Sequence, residues 1–592
     1  MITLQNFIFP DPAICTEHDL YYRAFGEFGF SQSTRKISLG QGARLVFNTY
    51  FNMLNIEKWH KTCTLTGLFA EIRGRGRVEI RVFHAIPDRS WEVLHSEVVT
   101  LSAKKPHLAD LSHFSERATR GVIYVEIKAM DNGVTITGGR FATRTQPETL
   151  PTLPTLAVSI TTFRREKEVR KTIERFRAFL PEFEFGDRVH VQVVDNGHSA
   201  DIEASASVTS VTNHNYGGAG GFARGLLEAE KSGFSHCLFM DDDASFHMEN
   251  IARTYVFLAL AKDRRAAVAG AMITNTHKWT MWENGAYFDG SCHPMFCGVD
   301  LRNHEAVMAM EFESARLRPA TLYGGWWFFA FAIDQVEHHP FPFFVRGDDI
   351  SFSLANDFRI TTLNGVVSFQ DDFTEKESAQ TLYLDLRNHL IHHFVFDKLE
   401  RSALGTAKIS LRFIMRSLLR FHYESAQAQI LAWQDVMRGP AFFDDNIDMA
   451  ERRATIRAMM NSEVWRDIGP DKIEERRKYT LRPPARRSRL GRYTLNGHLV
   501  PLSGRFWDRI VLGIADRAAL FPAFGATQIT YLNSARDQSY TVTQSKRRFL
   551  SICWQATKTL VRFMREYDEL KAAYRGGYET LTTRDYWEKK LA

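Results

Sequence analysis

Two carboxylate clusters stand out, each directly after a short apolar run. Cys237, Leu238, Phe239 and Met240 lead into Asp241, Asp242 and Asp243, and Phe343, Phe344 and Val345 lead through Arg346 and Gly347 into Asp348 and Asp349. Three adjacent carboxylates repel one another, so solvent, cationic side chains or a divalent metal must offset their charge. At the carboxyl end of a buried parallel strand such a triplet suits Mg2+ or Mn2+ held against a diphosphate. The competing reading is an acidic loop tip. Two acidic clusters far apart in sequence permit a division of labour, one holding a metal diphosphate and the other supplying a base. Just ahead of the second cluster, Gly324 and Gly325 precede Trp326 and Trp327. Those rings suit either the faces of sugar rings or an aromatic core.

The elements that position these residues follow from hydrophobic pattern. Pro151 and Pro154 oppose either regular structure and mark a linker. After it come a buried strand at 157–160, a helix at 168–179 and a strand at 189–194 that ends in the turn residues Asp195, Asn196 and Gly197. Asn215 and Tyr216 then open a run, Gly217, Gly218, Ala219, Gly220 and Gly221, ahead of a helix at 222–231 and the strand carrying the acidic triplet. This alternation predicts a βαβ nucleotide-type domain. The glycine run has neither the lysine of a phosphate-binding NTPase loop nor the dinucleotide fingerprint, which argues against kinase and NAD-dependent dehydrogenase readings. Its glycines permit close backbone approach to a ligand or to a neighbouring element.

Ahead of the linker, the strict alternation of Arg77, Val78, Glu79, Ile80, Arg81 and Val82, with further strand-like segments at 91–94 and 122–127, predicts an antiparallel β-sandwich, either carbohydrate-binding or purely structural. Beyond Asp397 the pattern is mainly helical. Apolar Leu411, Ile414, Met415, Leu418 and Leu419 interleave with Arg412, Arg416 and Arg420, and basic groups recur at Arg486, Arg487 and Arg489 and at Lys546, Arg547 and Arg548. Such segments suit an anionic lipid surface, or an ordinary solvated helix and oligomer interface. No nucleic-acid reading motif accompanies them. The 592 residues, 44% hydrophobic and 24% charged with a net charge of +6, fit a folded chain of two to four domains. Six scattered cysteines demand no oxidising compartment, and a zinc site around Cys292, His293 and Cys297 lacks a second ligand pair. The amino-terminal residues do not read as a signal peptide and no stretch reads as a membrane-spanning helix, so a cytoplasmic enzyme is expected.

Together these motifs resemble the large bacterial polymerising galactofuranosyltransferases, within the inverting GT-A glycosyltransferases of family 2. The likeness begins at 4–10 and 20–23, continues through 49–52 with Trp59, and spans most of the chain. It implies three parts: a β-sandwich at 1–148, a GT-A-like Rossmann-type domain at 155–398, and a mainly helical membrane-association or oligomerisation domain at 399–592. It also implies a cytoplasmic enzyme at the inner face of the plasma membrane, often oligomeric, that transfers galactofuranose from UDP-galactofuranose to a glycan or glycolipid acceptor with Mn2+ or Mg2+ as cofactor. By resemblance Arg165, Asp195, Gly197, Asn215, Gly217, Gly218 and Asp242 serve the UDP-sugar, with Arg164 in place of a more usual asparagine. Asp241 and Asp243 contact the metal. Glu283, Trp326, Trp327 and Asp348 serve the acceptor, and Asp349 takes the position of the catalytic base. One departure stands where the family has a metal-binding histidine: this chain has Gln370, a weaker ligand for a divalent ion, next to Asp371, which is the expected substitute. The resemblance resumes at Arg387 and Asn388.

Overall fold

The computed structural model describes residues 1–115, 117–144, 153–243, 245–371, 376–468, 475, 477, 484–503 and 507–592, with side chains at 115 and 484–487 left aside. Residues 151 and 152 of the proline linker and most of the basic group at 486–489 therefore lie outside the described residues or side chains. Three regions follow in chain order, as the patterning predicts: an amino-terminal antiparallel β-sheet structure folded on itself, a central mixed α/β region, and a helical carboxyl-terminal region.

The amino-terminal region is organised by the strand Thr66–Ala85, twenty residues long. Its first part pairs with Val134–Arg144 and His107–Asp110, and its second part with Glu92–Leu101 and Val122–Ala129. The change of partners falls at Gly74 and Gly76. Gly76 sits at φ +106°, and a Cβ on Gly74 would lie 2.2 Å from the Thr135 carbonyl, so the bend requires residues without side chains.

The central sheet runs in the order Val208–Thr212, Val189–Asp195, Leu156–Thr162, His236–Asp241, Phe329–Ala332, Ala266–Thr274 and Met281–Glu283, with Arg359–Gln370 paired to Ala266–Thr274. The first four strands are parallel, and their register aligns Thr162 with Asp195 and Thr161 with Asp241. Thr274 lies opposite Gln370 on the other side of the sheet. The carboxyl ends of these strands thus form one edge, where ligands of open α/β sheets bind.

The glycine run begins the helix Gly217–Lys231, five residues earlier than the sequence pattern suggests. Its glycines serve close packing. A Cβ would fall 2.2 Å from Thr161 Cγ2 at Gly221 and 1.8 Å from Ser159 Oγ at Gly225, so the helix lies tight on the strand Leu156–Thr162.

The amino-terminal and central regions share one continuous hydrophobic core, from Ile2 to Phe369. Buried polar contacts reinforce the seam. Arg253 donates to the carbonyls of Phe51 and Asn364 at 2.9 and 2.8 Å, and Lys58 pairs with Glu311 at 2.9 Å with both side chains inaccessible. Each charge is hydrogen-bonded, as burial requires.

In the carboxyl-terminal region the helices Ala379–Val395, Ala403–Leu419, Tyr423–Val436 and Lys546–Leu581 pack together, alongside a small sheet of Arg466–Asp467, Gln538–Thr543, Ala526–Leu532 and Asp508–Gly513 that the sequence reading did not anticipate. On the helix carrying Arg412, Arg416 and Arg420, the first two stay exposed and the third is inside. Arg420 is buried beside Glu377, Arg416 donates to the Ala518 carbonyl at 3.1 Å, and Arg412 donates to the Gly290 carbonyl at 3.4 Å. Among the described residues no helix is long and apolar enough to cross a membrane.

Candidate active site

Two adjoining cavities open at the carboxyl edge of the central sheet. One, of 390 Å³, is faced by Thr162, Arg165, Asn196, Asn215, Gly217 and the whole triplet Asp241, Asp242 and Asp243, with Gln370 and Lys376 across from them. The other, of 420 Å³, is faced by Glu283, Tyr323, Trp326, Trp327, Arg346, Asp348, Asp349, Asp385 and His389. Gly218, Phe222, Asp241 and Val345 belong to both walls, so Asp241 stands at the junction.

On the first side, the strand ends aim their carboxylates outward because the apolar residues before them fill the sheet. Thr162 Oγ1 donates to Asp242 Oδ2 at 2.7 Å, while the Arg165 guanidinium pairs with Asp243 and stands 3.6 Å from Asp242. Burial, then the charges of Asp243 and Asp242, push Asp241 up to about 7 against the pull of Lys376 and Arg165. Burial also pushes Asp242 up to about 6, against Thr162 and Arg165. Carboxyls that resist ionisation despite two nearby cations mark a site with too little positive charge, and a divalent ion fits that deficit. Asp241 and Asp243 both line the cavity, Asp243 with Arg165 against it.

Gln370 lines the same cavity but is itself buried, and its amide nitrogen meets no hydrogen-bond partner among the described residues. An orphaned donor facing an anion site suits a phosphate oxygen better than a cation. Asp371, the expected substitute ligand, is exposed, accepts from Asn275 Nδ2 at 3.0 Å and does not face the cavity. Asp195 and Gly197 also stand behind the wall. The Asp195 carboxylate accepts from the backbone N–H groups of Gly197, Ser199 and Ala200 at 2.8–2.9 Å, so it shapes the turn that presents Asn196. Gly217, at φ +69°, comes so close to Phe344 that a Cβ would lie 2.1 Å from its carbonyl oxygen, which fixes the glycine turn against the loop of the second acidic cluster.

That loop is strained. Phe344, Arg346 and Gly347 all have positive φ, at 76, 72 and 76°. Two buried side chains from the neighbouring helix hold it: Arg387 donates to the Phe343 carbonyl at 2.6 Å, and Asn388 donates to those of Val345 and Arg346 at 3.0 and 2.6 Å. Non-glycine residues in this region cost about 1–3 kcal/mol each and persist only where surrounding contacts impose them. The reward is position, since the loop delivers Asp348 and Asp349 as the first turn of the helix Asp348–Ala355.

Five carboxyl groups line the second cavity, Asp241, Glu283, Asp348, Asp349 and Asp385, under different conditions. Burial, opposed by the Ile350 N–H at 2.8 Å and by Arg346, leaves Asp349 at about 6. Asp348 is pushed well above the carboxylate range by burial and by the charge of Asp349, and Glu283 is pushed up to about 8 by the same two causes. Burial leaves Asp385, on the same wall beside Arg346, at about 6 as well, so near neutral pH Asp349 and Asp385 are the ionised members while Glu283 and Asp348 keep their protons. Environments that separate carboxyl groups in this way divide acid and base roles.

Trp326 and Trp327 face this cavity, yet they are 5% and 7% exposed and also belong to the packing. Trp327 Nε1 donates to the Gly270 carbonyl at 2.8 Å, whereas Trp326 packs edge-on to Phe222 and Phe239 with its indole N–H unpartnered. The aromatic-core reading of the pair therefore holds, with the rings also on the cavity wall. Sequence reasoning missed Tyr323, Arg346, Asp385, His389 and Lys376. Asp385 left a signal, an acid flanked by buried Leu384 and Leu386 on one helix. The described residues hold two further groups able to take a metal, His95 with Glu97 and His107, and Glu17 with His18 and Asp19; neither includes a residue of the acidic triplet.

No protein-family model matches the chain. It is 22% identical over 597 residues to the galactofuranosyltransferase GlfT2 of Mycobacterium tuberculosis, spanning 94% of this chain and 91% of that protein. It is 23% identical over 437 residues to the galactofuranosyltransferase GlfT2 of Mycolicibacterium smegmatis, spanning 68% and 65%. Among solved structures, a mannosyltransferase of Pyrobaculum calidifontis in complex with GDP-Man and Mn2+ matches at 15% identity over 52% of this chain and 84% of its own, with a TM-score of 0.29, too low to argue from. The nearly end-to-end match makes the chain a distant relative of glycosyltransferases.

Proposed function

We propose that the chain is an inverting, metal-dependent hexosyltransferase that moves galactofuranose from UDP-galactofuranose to a hydroxyl of a cell-surface glycan or glycolipid. The observation that carries this reading is the pair of adjoining cavities joined at Asp241, one faced by the acidic triplet with Arg165 and Lys376, the other by Asp349 beside Glu283 and Asp348, whose carboxyls are held above the usual range. The choice of sugar is supported by the distant similarity to two galactofuranosyltransferases.

In this mechanism UDP lies in the first cavity, where Arg165, Lys376 and the Gln370 amide face its diphosphate. A divalent ion held by Asp241 and Asp243 would offset charge on the departing diphosphate. The acceptor lies in the second cavity against Trp326 and Trp327. Asp349 takes the proton from the attacking hydroxyl as the new bond to the anomeric carbon forms and the bond to UDP breaks, which inverts that centre. Glu283 and Asp348, both protonated, donate to acceptor oxygens and orient them. The test is a panel of UDP-sugars offered to purified protein with a glycan acceptor, reading donor consumption and product linkage. Turnover of UDP-galactofuranose alone is expected. Turnover of a different UDP-sugar would replace the donor assignment, and no turnover of any would remove the transferase reading.

We further propose that the protein works as an oligomer at an anionic membrane surface, in the cytoplasm. The long helix Lys546–Leu581 supports this, because Leu550, Trp554, Val561 and Met564 are exposed at spacings that share one face, with Arg547, Lys558 and Arg562 nearby. Leu550→Ser with Trp554→Ser is expected to weaken binding to anionic vesicles, with mass in solution measured alongside. Equal vesicle binding by parent and variant would end this assignment.

A further inference from the structure

We propose that His95, Glu97 and His107 form a second metal site, for Zn2+ or a similar transition-metal ion, on the amino-terminal β domain and separate from the transfer site. His95 and Glu97 stand two residues apart on the strand Glu92–Leu101 and so point to the same face. His107 opens the strand His107–Asp110. Both strands pair with the long strand Thr66–Ala85, where His95 lies opposite Val82, Glu97 opposite Ile80 and His107 opposite Ile72. The two strands run in the same direction along the long strand, on either side of its change of partners at Gly74 and Gly76, and His107 Nε2 comes to 3.5 Å from the Glu97 carboxylate.

The spacing is that of a metal shell. Each imidazole Nε2 stands 3.5 Å from the same Glu97 oxygen, Oε2, and the three ligand atoms lie within 4.8 Å of one another. Tetrahedral zinc with bonds of about 2.0–2.2 Å sets its ligand atoms about 3.3–3.6 Å apart. Both nitrogen–oxygen separations already meet that value, and closing the nitrogen–nitrogen edge requires only small rotations of the two rings.

A second observation points to a ligand. The Nε2 atoms of both His95 and His107 are buried and accept or donate no hydrogen bond. Buried polar nitrogens without a hydrogen bond are uncommon and costly, and here two stand at ion-pair distance from one carboxylate oxygen. An ion bonded to all three relieves both.

The donors decide the kind of ion. Two imidazoles with one carboxylate favour zinc and its neighbours in the transition series, whereas the all-carboxylate triplet at the transfer site favours Mg2+ or Mn2+. The Glu97 side chain is half exposed, so the fourth position faces solvent and takes a water. Bound there, the ion ties the middle of one strand to the start of the next, and its binding energy adds to the stability of the β domain.

The experiment uses the full-length protein stripped of metal, titrated with Zn2+ against a chromophoric chelator and, separately, with Co2+ read by visible absorption. The parent is expected to bind one equivalent tightly, to show the absorption of tetrahedral Co2+, and to unfold at a higher temperature once loaded. His95→Gln with His107→Gln is expected to weaken Zn2+ at least tenfold and to abolish both the cobalt spectrum and the thermal shift, while transfer supported by Mg2+ or Mn2+ is retained. Should the double variant fail to fold, Glu97→Gln on the exposed side provides the same comparison. Equal zinc affinity and equal thermal shifts in the folded variant and the parent, or no zinc bound by the parent, would overturn the proposal.

Discussion

Replacing Glu283 with glutamine probes the division of protons in the acceptor cavity. Burial and the charge of Asp349 hold Glu283 at about 8, well above its ordinary 4.5, and burial holds Asp349 at about 6. If a protonated Glu283 orients the acceptor while an ionised Asp349 accepts its proton, kcat/KM rises through about pH 6 and falls through about pH 8. About nine-tenths of Glu283 is protonated at pH 7 and about one-tenth at pH 9, so the parent loses roughly tenfold between those values. Glutamine keeps a hydrogen-bond donor at every pH, and Glu283→Gln should retain the acid limb and lose the alkaline one. Stability follows the same inequality. A carboxyl whose value is raised by folding stabilises fully below about 4.5, and that contribution is lost as pH rises through about 8. The loss is on the order of 5 kcal/mol across the window. Glu283→Gln should therefore gain in unfolding temperature relative to the parent when both are moved from pH 6 to pH 9. Initial rates across pH 5–10 in constant-ionic-strength buffers, with thermal unfolding at both ends, measure both effects. An alkaline limb that stays in place in Glu283→Gln would refute the reasoning.

Two other outcomes follow from the same geometry. Asp349→Asn should keep UDP binding and lose about 10²–10⁴ in single-turnover transfer, since a general base contributes about that much; a near-normal rate would move the base elsewhere, with Asp348→Asn as the comparison. Asp241→Ala should abolish the response of transfer to added divalent metal, whereas Gln370→Ala should weaken UDP binding about tenfold or more with metal dependence intact, as loss of a hydrogen bond to a charged group implies. UDP affinity and metal titrations on the same preparations separate the two, and loss of metal dependence in Gln370→Ala would return that residue to the metal shell.

Much of the site was legible because its signals are local. An apolar strand ending in acids reports its own burial and exit, and the edge bearing Asp241 stands where the pattern around Cys237–Met240 puts it. The glycine run signalled close approach, but only the fold shows that the partners are Ser159, Thr161 and Phe344. The arginines at 412, 416 and 420 read as one basic face in sequence. In the fold they also reach Gly290, Ala518, Glu377 and Arg517, groups about 40 to 120 residues away that no periodicity reveals. The small carboxyl-terminal sheet left a weak trace, the alternation of Gln528, Ile529, Thr530 and Tyr531, hidden among stronger helical patterns.

The sequence by itself determined the three-part order, the parallel strands and both acidic clusters, because hydrophobic period and strand termini are written within a few residues. Tertiary structure decided which cluster member is charged, that Asp195 and Asp371 turn away while Gln370 faces the cavity, and that the amino-terminal domain shares its core with the centre. A carboxyl group's ionisation depends on burial and on the charges around it. For Asp349 those are imposed by Arg346 and by a loop held from Arg387 and Asn388, across contacts that only the folded chain makes.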